Sequence, residues 1–268
     1  MELLKTKYPV VLLSGFNNYD KIIEQTKFAG LKKLMEEQTP AFSLGYTDAL
    51  GTIDHNAAQA CETVKKVLKQ SGCEKVNLIG ISRGGLDARK AARMLGSDKV
   101  ASVSTIVTPH TGGSPVFDEK IKGIKLYLFA ALFKLIALKN HEKSDPVGAL
   151  KTMDSRVIAK FNEENPNVPG VKYHSYGFVM TNEHSDEKHA KDYLQLKALV
   201  GDNDSLLPVS VMEWTDFELV RSYSPLGISH HQTGNLDMVI NDEARSGPYD
   251  TLADFYRALL NKLAREGC

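Results

Sequence analysis

Gly80, Ser82 and Gly84 form a G-x-S-x-G set, and a serine framed in this way suits nucleophilic attack on a carbonyl. The glycines stand two residues to either side because a sharp strand-to-helix turn leaves no room for a Cβ there. By composition alone such a pentapeptide arises by accident in roughly one chain of this length in ten, so the set needs partners. A serine hydroxyl is a weak nucleophile near pH 7 and requires a base, normally a histidine oriented by a carboxylate. Two downstream loops offer them. Gly201 to Pro208 carries Asp202 and Asp204, and Leu226 to Gln232 carries His230 and His231. The order serine, acid, histidine is the one such elbows use. Each group also has an ordinary reading. An aspartate in a Gly/Asn turn usually bonds its own backbone, and a loop histidine is usually solvated.

The flanking sequence must supply a strand and a helix. Lys75 to Ile79 is β-branched and apolar, which predicts a buried strand, and Gly85 to Leu95 has helical periodicity. The same pattern predicts strands over Val10 to Leu13, Ala41 to Tyr46, Val100 to Val107 and Val171 to Met180. Helices are expected over Phe28 to Glu37, Ile53 to Lys69 and Tyr249 to Arg265, with a polar loop between Met180 and Gly201. A helically patterned insertion occupies approximately 116–167. Strands alternating with helices predict an α/β chain with a mostly parallel central sheet flanked by helices. Repeats and low-complexity segments are absent, so residues 1–268 read as one domain.

Composition narrows the function classes. The 268 residues carry no formal net charge and the pI is about 7.1, which argues against a nucleic-acid partner. Cys61, Cys73 and Cys268 make no metal-ligand cluster and leave an odd thiol if two pair. Residues 1–9 run into the first strand with no apolar leader, as expected of a cytoplasmic chain or of a secreted one already processed. Leu126 to Leu138 is apolar apart from Lys134, yet its about 13 residues fall short of the roughly 20 that cross a bilayer. A buried helix is the plain expectation; an interfacial helix over an active site is the functional one.

Taken together, Tyr8 to Phe16, Val76 to Arg89, Thr108 to Pro115, Gly201 to Pro208, Gly227 to His230 and Tyr249 to Leu260 resemble bacterial triacylglycerol lipases of the α/β-hydrolase superfamily, close to the clostridial type. The resemblance implies that Ser82 is the nucleophile, Asp204 the acid and His230 the base, with Asp202 and His231 the nearest rivals. It also implies an oxyanion hole from the main-chain N–H groups of Phe16 and Arg83. The family's Asn-Asp-Gly turn has Ser205 for its glycine here. Ser14-Gly15-Phe16 replaces the usual His-Gly-Phe, and Ile81 stands where a histidine usually precedes the nucleophile. Calcium occurs in many relatives, but the acid expected two residues after the histidine is Gln232, so no metal or other cofactor is expected.

The insertion lies where the family carries its helical lid. Leu126, Phe129, Leu132, Phe133 and Ile136 would then wall an acyl-chain groove, and the lid would make transient contact with a lipid interface. At about 0.8 kcal/mol per buried CH₂, a few methylenes outweigh any polar contact in such a groove. The expected substrate is a small-molecule or lipid ester with an apolar acyl group. A thioesterase or acyltransferase using the same three residues, and a non-catalytic binding protein on the same fold, are the alternatives.

Overall fold

The computed structural model describes residues 3–115, 123–139, 145–220, 227–237 and 249–268, without the side chains of residues 129 and 136–139. Six strands, β1 (Val10–Leu13), β2 (Phe42–Leu44), β3 (Val76–Ile81), β4 (Val100–Ile106), β5 (Lys172–Phe178) and β6 (Phe217–Val220), form one sheet in the order β2-β1-β3-β4-β5-β6. Every pairing is parallel. Strands covered on both faces read as continuous apolar runs, and β1, β3 and β4 are buried at every position.

Alternate side chains of β1 separate the two faces. Val10 and Leu12 pack with Phe28, Leu31 and Met35 of the α2 region (Ala29–Gln38) and with Phe255 and Leu259 of α10 (Leu252–Arg265). Val11 and Leu13 pack with Ala57 and Val64 of α3 (Ile53–Ser71) and Ala88 and Ala91 of α4 (Gly84–Leu95). Local signals set the helix ends. The Thr52 hydroxyl accepts from His55 N–H at the start of α3, and Gly72, at φ 70°, ends it. A reciprocal Thr251–Asp254 capping box opens α10.

Because β1 lies between β2 and β3, the chain reverses its direction of travel across the sheet at this point. A crevice outside the carboxyl ends of β1 and β3 follows, the usual place for a ligand in such sheets. The register pairs Leu13 with Gly80, so the loop after β1 and the turn after β3 emerge side by side.

Two expectations need correction. The stretch from 181 to 201 is no loop: a 3₁₀ turn spans Glu183–His189 and α8 spans Ala190–Val200. Only Tyr193 and Leu196 of α8 are buried, so its apolar stripe is too thin to register as a period. The edge strand β6 is also additional; its four residues, including Glu218, are too few and too polar for an alternating signal. Between these elements lie two short helices, α1 (Asp20–Ile23) near the start and α9 (Val209–Met212) before β6. The insertion forms three helices among the described residues, α5 (Ile124–Lys139), α6 (Pro146–Lys151) and α7 (Ser155–Glu164). No helix of the described residues is long and apolar enough to cross a membrane.

Candidate active site

Ser82 follows β3 immediately, with φ 56°, in the left-handed region that a non-glycine residue rarely adopts. The surroundings hold it there. Its N–H donates to the Ile106 carbonyl at 2.8 Å, and its own carbonyl accepts from the Thr108 hydroxyl at 2.8 Å. A Cβ on Gly80 would strike the backbone of Gly84 and Gly85, and one on Gly84 would strike the backbone of Leu13 and Ser14. Gly15 is under the same constraint, since a Cβ there would lie 2.9 Å from Ser82 Cβ. The loop after β1 therefore passes as close to the serine as a main chain can.

The structure brings Ser82, His230 and Asp204 into one chain of hydrogen bonds. His230 Nε2 lies 2.9 Å from Ser82 Oγ, and Nδ1 lies 2.7 Å from Asp204 Oδ2. All three residues are buried. The other oxygen, Asp204 Oδ1, accepts the N–H groups of Leu206 at 3.0 Å and Leu207 at 2.7 Å, so the carboxylate is satisfied by fixed donors. His230 N–H donates to the Asp204 carbonyl at 2.8 Å, which locks the two loops together. The rivals stand aside. Asp202 is exposed, and the ring of His231 stacks on His189 at 3.7 Å instead of turning toward the serine. Ser205 adopts φ 80°, a left-handed conformation that glycine takes more easily than serine.

Arg83 sits at the N-terminal end of α4, where main-chain N–H groups lack intrahelical acceptors. Among the described residues, no acceptor receives the N–H of Phe16 or of Arg83. The side chain of Arg83 does work that the sequence did not disclose. It is buried, donates to the Gly51 carbonyl, and lies 3.7 Å from Asp87. Its guanidinium also lies 5.7 Å from the centroid of the Phe16 ring. An Asp four residues after an Arg on a helix was the available signal.

Ser14 donates to Asp20 Oδ1 at 2.6 Å, and Thr47 N–H donates to Asp20 Oδ2 at 3.3 Å. Asp20 thereby anchors the Phe16 loop. Burial pushes the Asp20 carboxyl up to about 6, against the opposing hydrogen bonds from Ser14 and Thr47, and burial likewise holds Asp87 at about 6 despite Arg83. A carboxyl bound more tightly to its proton when folded contributes stability that is complete below pH about 4 and lost as pH rises through about 6. Replacing Asp20 by Asn removes one such titration. Urea midpoints measured from pH 4 to 7 should show a stability difference between parent and variant that changes by up to about 1.4 kcal/mol per pH unit. A constant difference across that range would contradict the assignment.

The predicted acyl wall is only partly assembled. Leu126 packs with Ala130, Leu150 and Phe16, and the Phe133 ring meets the Phe16 ring edge-on at 5.2 Å. Leu132 does not join them: it is 56% exposed and points outward, because α5 is apolar on every side and only one side can face Phe16. The side chains of Phe129 and Ile136 lie outside the described residues. His110, from the Thr108–Pro115 segment, is buried with both ring nitrogens engaged, Nε2 2.9 Å from the Thr105 hydroxyl and Nδ1 3.3 Å from Arg89, and its ring stacks on Trp214 at 5.3 Å.

The calcium site of the resembled family does not fit these residues. Gln232 uses both ends of its amide, accepting Ser229 N–H at 2.8 Å and donating to the Ser185 carbonyl at 2.9 Å. It has no charge with which to hold a cation.

No protein-family model matches the chain. It is 26% identical over 202 residues to a triacylglycerol lipase of Vibrio cholerae serotype O1, covering 66% of this chain and 64% of that protein. A triacylglycerol lipase of Burkholderia plantarii is 28% identical over 176 residues, covering 60% and 49% respectively. The matches therefore span about half to just under two thirds of these relatives' length. Among solved structures, the mature Bacillus licheniformis lipase BlEst2 superposes with a TM-score of 0.60 at 17% identity, covering 85% of this chain and 86% of that one. A metagenomic carboxyl esterase superposes with a TM-score of 0.61 at 16% identity, covering 87% and 67%.

Proposed function

We propose that this chain, which has the α/β-hydrolase fold of bacterial lipases and esterases, is a carboxylic ester hydrolase of the lipase type. The observation that carries the reading is the continuous Ser82–His230–Asp204 hydrogen-bonded chain at the carboxyl end of β3. With its Nδ1 proton directed to Asp204, His230 turns the Nε2 lone pair toward the serine hydroxyl. It accepts that proton as Oγ attacks the ester carbonyl. The oxyanion takes hydrogen bonds from the main-chain N–H groups of Phe16 and Arg83, and Asp204 stabilises the imidazolium. The imidazolium protonates the departing alcohol, leaving an acyl-serine. Water, deprotonated by the same imidazole, releases the acid and restores Ser82.

The acyl chain lies against Phe16, Leu126 and Phe133, an apolar surface beside the proposed oxyanion donors. Ile124, Tyr127, Leu128, Leu132 and Leu135 face solvent on α5, with Lys125 and Lys134 among them. This apolar face with basic neighbours is suited to contact with a lipid surface, and α5 serves as the lid. A fluorophosphonate probe should label Ser82. p-Nitrophenyl esters of increasing acyl length should show rising kcat/KM until the wall is filled. Preference for the shortest acetate, or faster turnover of acyl-thioesters than of oxyesters, would count against a lipase.

A further inference from the structure

His230 is held from two sides by one short turn. Within Glu183–His189, Asp186 breaks the helical path at φ −152°, ψ 88°, and its carboxylate faces the histidine loop. Asp186 Oδ2 accepts the Ser229 hydroxyl at 2.6 Å and lies 2.9 Å from His189 Nδ1. The ring of His189 stacks on His231 at 3.7 Å with 20° between the planes, and the edge of His231 meets His230 at 5.7 Å. The adjacent Ser185 fastens both ends of the loop. Its hydroxyl accepts Gly227 N–H at 2.9 Å, and its carbonyl accepts Gln232 Nε2 at 2.9 Å.

We propose that Asp186 is a positioning residue for His230: one carboxylate holds both chain neighbours of that histidine, Ser229 directly and His231 through the stacked ring of His189, without a bound cation. The inference rests on the reading of His230 as the base for Ser82. An imidazole 2.9 Å from its serine gains most of its effect from that placement, and a displacement of about 1 Å costs up to roughly 100-fold in rate. Asp186 bonds Ser229 and His189 rather than Ser82, so its effect passes through loop geometry.

The test compares Asp186→Ala, Ser229→Ala and the double variant by kcat and KM on one p-nitrophenyl ester, and by the rate of fluorophosphonate labelling. Each single substitution should lower kcat and labelling about tenfold, with KM within about twofold. The double variant should lose less than the product of the two single losses, because both substitutions remove the same Asp186–Ser229 hydrogen bond. Asp186→Asn keeps an oxygen for the Ser229 hydroxyl and should recover part of the rate. EDTA should leave the parent unchanged. Parent-like kcat in folded Asp186→Ala, losses that multiply in the double variant, or a parent silenced by EDTA and restored by calcium would each overturn the proposal. If Asp186→Ala does not fold, parent-like kcat in Ser229→Ala overturns it equally. A parent that the probe does not label defeats the hydrolase reading itself; a labelled parent with unaffected variants defeats only the role of Asp186.

Discussion

Ser82→Ala should lower kcat for the proposed ester hydrolysis by roughly 10⁴- to 10⁶-fold. The expected loss is this large because in the proposed mechanism the hydroxyl is the attacking group and His230, 2.9 Å away, activates it. His230→Ala should cost a similar factor, and the double variant little more, since a base without its nucleophile contributes nothing. The fold should survive, because Ser82 is small and its backbone is held by Ile106 and Thr108 rather than by its own hydroxyl. Rates on a short p-nitrophenyl ester, with thermal unfolding as the control, check both statements. Turnover within tenfold of the parent in a folded Ser82→Ala protein would remove the serine from the mechanism.

Gly84→Ala should destabilise the chain by about 3 kcal/mol or more. The added Cβ would stand 2.5 Å from the Ser14 carbonyl oxygen and 2.7 Å from the Leu13 carbonyl carbon. These are backbone atoms at the end of a fully buried strand, so no side-chain rotation relieves the clash; α4 must move off β1 or the turn must open. A loss of that size is a large part of a typical domain's 5–15 kcal/mol. Gly30→Ala is the contrast. Its Cβ would meet only the Leu236 side chain, a methyl at 3.3 Å, at an exposed helix position that favours alanine, so a change under about 1 kcal/mol is expected. Urea unfolding of the two variants beside the parent makes the comparison, and near-equal midpoints would show that the turn tolerates a side chain.

These effects follow from features that are legible in the sequence because they are local. The glycine spacing around Ser82 encodes the turn, and the apolar runs of β1, β3 and β4 encode a sheet buried on both faces. Asp204 and His230 were harder, since each had a rival within two residues and only tertiary packing separates them. Asp202 ends exposed, and His231 is drawn to His189. What stayed hidden depends on contacts between segments remote in the chain. The Arg83 guanidinium bonds a carbonyl 32 residues earlier, and Asp186 reaches a serine 43 residues later. The direction of Leu132 was equally unreadable, because a helix apolar all round carries no periodicity to say which side is covered.

The order of the site along the chain has a consequence for biosynthesis. The serine precedes its histidine by 148 residues, and the acid comes 26 residues before that histidine. A nascent chain can pair β1 with β3 and form the glycine-framed turn before either remaining group has left the ribosome. On the proposed mechanism the turn that carries Ser82 can therefore form first, and its base becomes available only once translation has passed residue 230.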